Sequence, residues 1–175
     1  MLAYFLIFLG ATLRVLPHPA NFAPIAAIAL FGAVYIKDKR IALALPLAAM
    51  IMSDVFIGFD SLTSRLVVYS VFLATGLIGL WIREHKNTFT VIGGSLVGST
   101  LFYLITNLVL LYEPKMYLHT LAGQIQSYTN ALPFFRYTLL GDIFYVVVFF
   151  GLYELVAYYY DYQSSRAHER ASGQN

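Results

Sequence analysis

The sequence predicts an all-α integral membrane protein with six transmembrane helices and both termini in the cytoplasm. Three observations carry that expectation. Hydrophobic residues make up 59% of the 175 positions and charged residues only 11%, against about 25% charged in an ordinary soluble domain. Mean hydropathy is +0.71, so there are too few charges to cover a water-facing surface. The apolar residues fall in six runs joined by short polar connections, and basic residues gather in alternate connections.

The first run, Leu2 to about Val15, has no basic segment before it and no small-residue cleavage pattern after it. It is therefore expected to stay as a span rather than be removed as a signal peptide. It is short against the ~20 residues a span needs, and Arg14 closes it. An elbow follows, in which Pro17 and Pro19 stop the first helix. Asn21 is expected to cap the next helix, with Pro24 tolerated in its first turn. The second run, Asn21 to Ile36, ends at Lys37, Asp38, Lys39 and Arg40. The third, Ile41 to Phe59, contains Pro46, an expected kink. The fourth, Arg65 to Ile82, ends with Arg83, Glu84, His85 and Lys86. The fifth, Phe89 to Leu111, is glycine-rich early. The sixth, Leu139 to Tyr160, closes on a tyrosine cluster. Residues 1–162 read as one transmembrane domain and 163–175 as a disordered cytoplasmic tail.

Lys37, Lys39, Arg40, Arg83, Lys86, Arg166 and Arg170 fall on the side of the termini, and Arg14, Arg65, Lys115 and Arg136 on the other. Seven against four places the termini inside. Trp81 and Tyr158, Tyr159 and Tyr160 then fall at the inner interface. Between the fifth and sixth runs, Tyr117, Leu118, Leu121, Ile125 and Tyr128 recur at helical spacing among polar residues. That pattern predicts an amphipathic helix on the outer face, within the last outer loop, as a connector or a lid.

Polar residues within apolar runs are functional candidates, because ionisable groups are costly in a bilayer. Here they share one depth. Arg14, His18 and Asn21 lie in or beside the first elbow. Ser53 and Asp54 end the third run, Asn107 lies toward the end of the fifth, and Arg136 and Asp142 bracket the start of the sixth. Arg14, His18, Asn21, Asp54, Asn107, Arg136 and Asp142 are therefore the expected walls of an outward-facing pocket. Arginine would offer donor forks to a carboxylate or phosphate. The aspartates would orient the arginines or take an amine. Two arginines and two aspartates do not select an anionic, cationic or zwitterionic ligand, and the same groups can simply pair with one another.

Small-residue pairs predict close helix packing: Ala23 with Ala27, Ala29 with Ala33, Ala44 with Ala48, and Gly94 with Gly98. They serve the bundle itself or a docked membrane partner. The chain has no cysteine, which removes disulfides, thiolate metal sites and cysteine catalysis. It carries no P-loop, no HExxH and no GxSxG. No metal site and no cofactor is expected. A net charge of +2 gives no reason to expect nucleic acid.

The stretches Arg14 to Gly32, Leu45 to Phe59, Leu104 to Asn107 and Pro133 to Asp142 resemble an uncharacterised bacterial membrane family. That family is similar to the substrate-binding S components of energy-coupling factor transporters. Six short spans, cytoplasmic termini, a short first loop and a long last loop carry the wider likeness. The resemblance implies an S-component-like bundle in the bacterial inner membrane. It implies uptake of a small polar solute (vitamin or precursor-like), with a membrane coupling subunit and two ATPases as partners. S components often carry an AxxxA pair on their first helix; here the alanine pairs lie on the second run. The competing expectations are an accessory membrane protein with a self-paired polar cluster, and a membrane-embedded enzyme using His18, Asp54 and Asp142. The reading adopted is a non-enzymatic binding subunit.

Overall fold

The computed structural model describes residues 1–172 apart from His18, Ala20, Phe59, Asp60 and Pro114, with the backbone alone at 167–172. Six α-helices carry the fold: α1 (Leu2–Val15), α2 (Ile25–Tyr35), α3 (Lys39–Ile57), α4 (Leu62–Glu84), α5 (Thr88–Thr106) and α6 (Leu121–Ser172). A 3-10 turn, Val109–Leu111, precedes α6. No strand occurs among the described residues. Four helices are long and apolar enough to cross a membrane: α3, α4, α5 and the Leu121–Arg166 part of α6. The first two have 14 and 11 residues. They therefore rise about 21 and 16 Å, short of a ~30 Å hydrocarbon core.

α2 is the hub. Nine of its eleven residues are buried, and it touches all five other helices. Its sequence, IAAIALFGAVY, is apolar on every side, the mark of a helix enclosed by protein. Small side chains let the neighbours approach. A Cβ built on Gly79 of α4 would lie 2.6 Å from the Ala33 Cβ and 3.0 Å from the Leu30 carbonyl oxygen. Ala27, Ala29 and Ala33 are at most 2% exposed, so the alanine pairs of this segment pack inside the bundle and offer no docking face. Gly98 of α5 meets Thr75 and Ala26 in the same way. Ala44 and Ala48 of α3, by contrast, are exposed.

Local chemistry sets the helix ends. Asp38 caps α3 by accepting from the Arg40 and Ile41 amides. Asn87 and Thr90 form a capping box on α5, and Ser61 caps α4. The last carbonyls of α2 are satisfied by Arg83, whose guanidinium donates to Ala33, Ile36 and Lys37. Orphan carbonyls and the negative end of the helix both favour a cation there. These short connections make successive helices antiparallel. One end of the bundle, the elbow end, collects the C-termini of α1, α3 and α5 and the N-termini of α2 and α4.

Three sequence expectations are corrected. First, the amphipathic helix of the last loop is not a separate element. Leu121 to Ser172 is one helix of 52 residues, started by Thr120, whose hydroxyl accepts from the Gly123 amide. Pro133 lies within it; it removes one backbone donor and crowds the preceding turn, yet the helix continues through it. Second, the tail expected to be disordered from residue 163 continues this helix to Ser172. Its Gln, Arg and Ala residues are good helix formers, and Arg166 stands 4.8 Å over the Tyr162 ring. Third, Asn21 does not cap α2. It sits in the left-handed region at φ 63°, a conformation asparagine tolerates better than most residues, and the N-cap position is Pro24.

Candidate functional site

The elbow end holds two buried aspartates with different surroundings. Asp54, fully buried near the end of α3, is gripped by cations. Arg14 from the end of α1 lies 2.5 Å from its Oδ1, and Arg65 from the start of α4 lies 3.1 Å away. The Tyr69 hydroxyl donates to Oδ2 at 2.7 Å. Arg14 also donates to the Ser53 hydroxyl, and Arg65 to the Gly58 carbonyl at 2.8 Å. One carboxylate thus ties three helices together. Sequence reading paired Arg14 with Asp54 as candidates but treated Arg65 only as a topology charge and passed over Tyr69. The available signal was the short spacing from Asp54 to Arg65 across one tight connection.

Asp142 of α6 is 3% exposed, and no arginine or lysine among the described residues forms an ion pair with it. Its Oδ2 accepts from the Ser99 hydroxyl of α5 at 2.6 Å, and its Oδ1 from the Ala26 amide at 3.3 Å. That amide belongs to the first turn of α2, where helix donors lack partners. Asp142 therefore caps α2 from another helix, the role expected of Asn21. The approach depends on Gly141. A Cβ there would lie 3.1 Å from the Phe22 Cα and 3.4 Å from the Ala23 nitrogen, so a side chain would push the elbow away. Ser99 was missed, although Ser95 and Ser99 lie one turn apart in an apolar run.

A small chamber of about 30 Å³ adjoins Asp142, walled by Ala26, Phe72, Thr75, Gly98 and Phe102. It holds a water-sized group. Asn21, Phe102 and Thr138 line both this chamber and a larger cleft of about 510 Å³. The cleft runs between the last turn of α5, the strap before α6 and the first part of α6, with Tyr103, Asn107, Tyr117, Asn130 and Phe135 among its walls. Its walls are fixed. The Asn107 carbonyl accepts from Gln124 at 2.6 Å and Ser127 at 3.1 Å. The Tyr103 ring stacks on Phe135 with centroids 4.4 Å apart.

The seven expected site residues thus separate. Asn21, Asn107 and Asp142 surround the cleft and chamber, while Arg14 and Asp54 form the ion-pair cluster. Arg136 joins neither; it is exposed and stands 5.2 Å from the Tyr137 ring centre. It precedes Asp142 by six residues on one helix, so at about 100° per residue the two lie about 120° apart. They bracket the start of the sixth run in sequence but do not share a face of the helix. His18 lies outside the described residues. Asp54 and Asp142 share no hydrogen-bond partner.

Among the ionisable groups of the strap 107–120, Glu113 is tied to α4. Hydrogen bonds from the Ser61 and Ser64 hydroxyls keep the Glu113 carboxyl below its ordinary range, with Ser64 donating at 3.0 Å.

Residues 1–166 match the model of a family of unknown function, DUF6580. The chain belongs to this family. Neither the curated proteins nor the solved structures contain a match to the DUF6580 chain.

Proposed function

We propose that this protein is a non-catalytic solute-binding subunit of the cytoplasmic membrane, resembling S components of energy-coupling factor transporters. It crosses the membrane six times, with α1 and α2 as short spans, and both termini face the cytoplasm. The elbow end faces outward, and a small polar solute enters there through the cleft. A membrane coupling subunit and ATPases would drive uptake from the opposite face. The observation that carries this reading is the cleft of about 510 Å³ leading to a chamber that contains a buried carboxylate with no cationic partner among the described residues. An ionisable group buried between membrane helices is costly to keep and is a functional-site candidate for that reason.

The test is native mass spectrometry of the protein released from its own membrane. A co-purifying solute is expected on the wild type and lost in Ala131→Trp, which fills the cleft. If every preparation shows the bare chain mass and no solute raises its thermal stability, the binding reading fails. The accessory-protein reading is favoured by the Asp54 cluster, whose partners are all supplied by the chain. That reading predicts the bare mass and no gain in stability.

A further inference from the structure

We propose that the site takes a small organic cation. In this reading an ammonium group sits against Asp142 in the inner chamber, and a flat apolar body lies in the outer cleft. The inference rests on the solute-binding reading above and names the substrate class of that same site.

Charge is the first argument. Among the described residues that line chamber and cleft, Asp142 is the single carboxylate, and no lysine or arginine accompanies it. The arginines that would have suited an anion are elsewhere. Arg14 is committed to Asp54 and Ser53, and Arg136 lies on an exposed face. An anion entering this cleft would meet a buried carboxylate with no cation to offset it. A cation would supply the missing partner.

Hydrogen-bond capacity is the second argument. A carboxylate offers about four acceptor sites, and Asp142 receives one hydroxyl and one long amide contact. Ser99 has a single hydroxyl hydrogen but two acceptors in reach, Asp142 and the Ser95 carbonyl at 3.0 Å. The amino terminus of α2 contributes only a partial positive charge. An ammonium brings up to three donors and a full charge to the side of Asp142 that faces the chamber.

The walls are the third argument. Phe72 and Phe102 border the chamber, and Tyr103, Tyr117, Phe134 and Phe135 border the cleft. Aromatic faces attract cations within about 6 Å of the ring and stack on flat apolar bodies. The sizes agree as well: about 30 Å³ for the head group and about 510 Å³ for the rest.

Three probes that share a phenethyl body test the proposal by isothermal titration calorimetry on the full chain in detergent: phenethylammonium and the equal-sized 2-phenylethanol, with the slightly larger 3-phenylpropionate as the anion. The wild type is expected to bind the ammonium at least tenfold more tightly than either of the others, and Asp142→Asn to lose at least tenfold of that affinity. The wild-type ranking stands even if the variant does not fold. Equal or tighter binding of the alcohol or the carboxylate overturns the proposal. So does an absence of ammonium binding, or an Asp142→Asn protein that keeps it. A co-purifying solute without a cationic nitrogen would overturn the cation assignment while leaving solute binding intact. A bare protein that binds none of the probes would sink both.

Discussion

Asp54 and Asp142 lie at the same end of one bundle, are equally buried, and are held in opposite ways. Asp54 has two guanidinium groups and a phenol; Asp142 has a serine hydroxyl and one backbone amide. The difference follows from where helix ends meet. The end of α1 brings Arg14 and the start of α4 brings Arg65 and Tyr69, so Asp54 at the end of α3 is enclosed by long polar side chains from two neighbouring helices. Asp142 emerges between α2 and α5, where the neighbours are alanine, glycine, serine and phenylalanine. Close packing around a central small-residue helix leaves no room for a long cationic side chain. Burial alone therefore does not define the role of an aspartate. The size of the neighbours decides whether it is a structural tie or an available acceptor.

Mutating the two aspartates should separate those roles most sharply. Asp54→Asn removes the carboxylate that two enclosed guanidinium groups share and is expected to cost about 3–5 kcal/mol in chemical unfolding of the detergent-solubilised protein. Asp142→Asn removes an unpaired charge and keeps an acceptor for Ser99, so its change should stay within about 1 kcal/mol. Equal losses would erase the distinction. Next come the hydroxyl donors. Tyr69→Phe, which removes a bond to a charged and fully enclosed group, should cost about 2 kcal/mol, and Ser99→Ala about 1 kcal/mol, because water can reach Asp142 from the chamber.

A surface pair at the opposite end calibrates the scale. Lys86 meets Glu154 with side chains 40% and 53% exposed, so Lys86→Ala should change stability by less than about 1 kcal/mol. The smallest effect belongs to Glu113. Because the folded state holds its carboxyl below the ordinary range, its contribution is fully present above the unfolded value of about 4.3 and is lost as pH falls through the folded value. Acid should loosen the strap from α4, seen as lower amide-exchange protection, relative to the intrinsic rate at each pH, in the strap. Glu113→Gln should flatten that pH dependence.

The fold was legible where it depends on local signals. Apolar runs located all six helices, whereas the Asp38 and Asn87 caps emerged only from the structure. The last helix was read as two elements, an amphipathic helix in the loop and an apolar run from Leu139, because hydropathy changes between them while the helical backbone continues. The gathering of polar residues at one end was readable from the alternation of runs. Their division into two groups was not, because it depends on helix rotation.

The sequence by itself determined a helical, membrane-type chain whose polar residues collect at one end, since hydropathy and period are local properties. Only the tertiary structure decided which aspartate meets arginine. Arg136 and Asp142 are close in sequence yet face apart around their helix, while Arg14 and Asp54, 40 positions apart, are in contact. Pairing is set by which helix faces meet, and that is fixed by small residues such as Gly141 and Gly98, whose missing side chains bring distant backbones together.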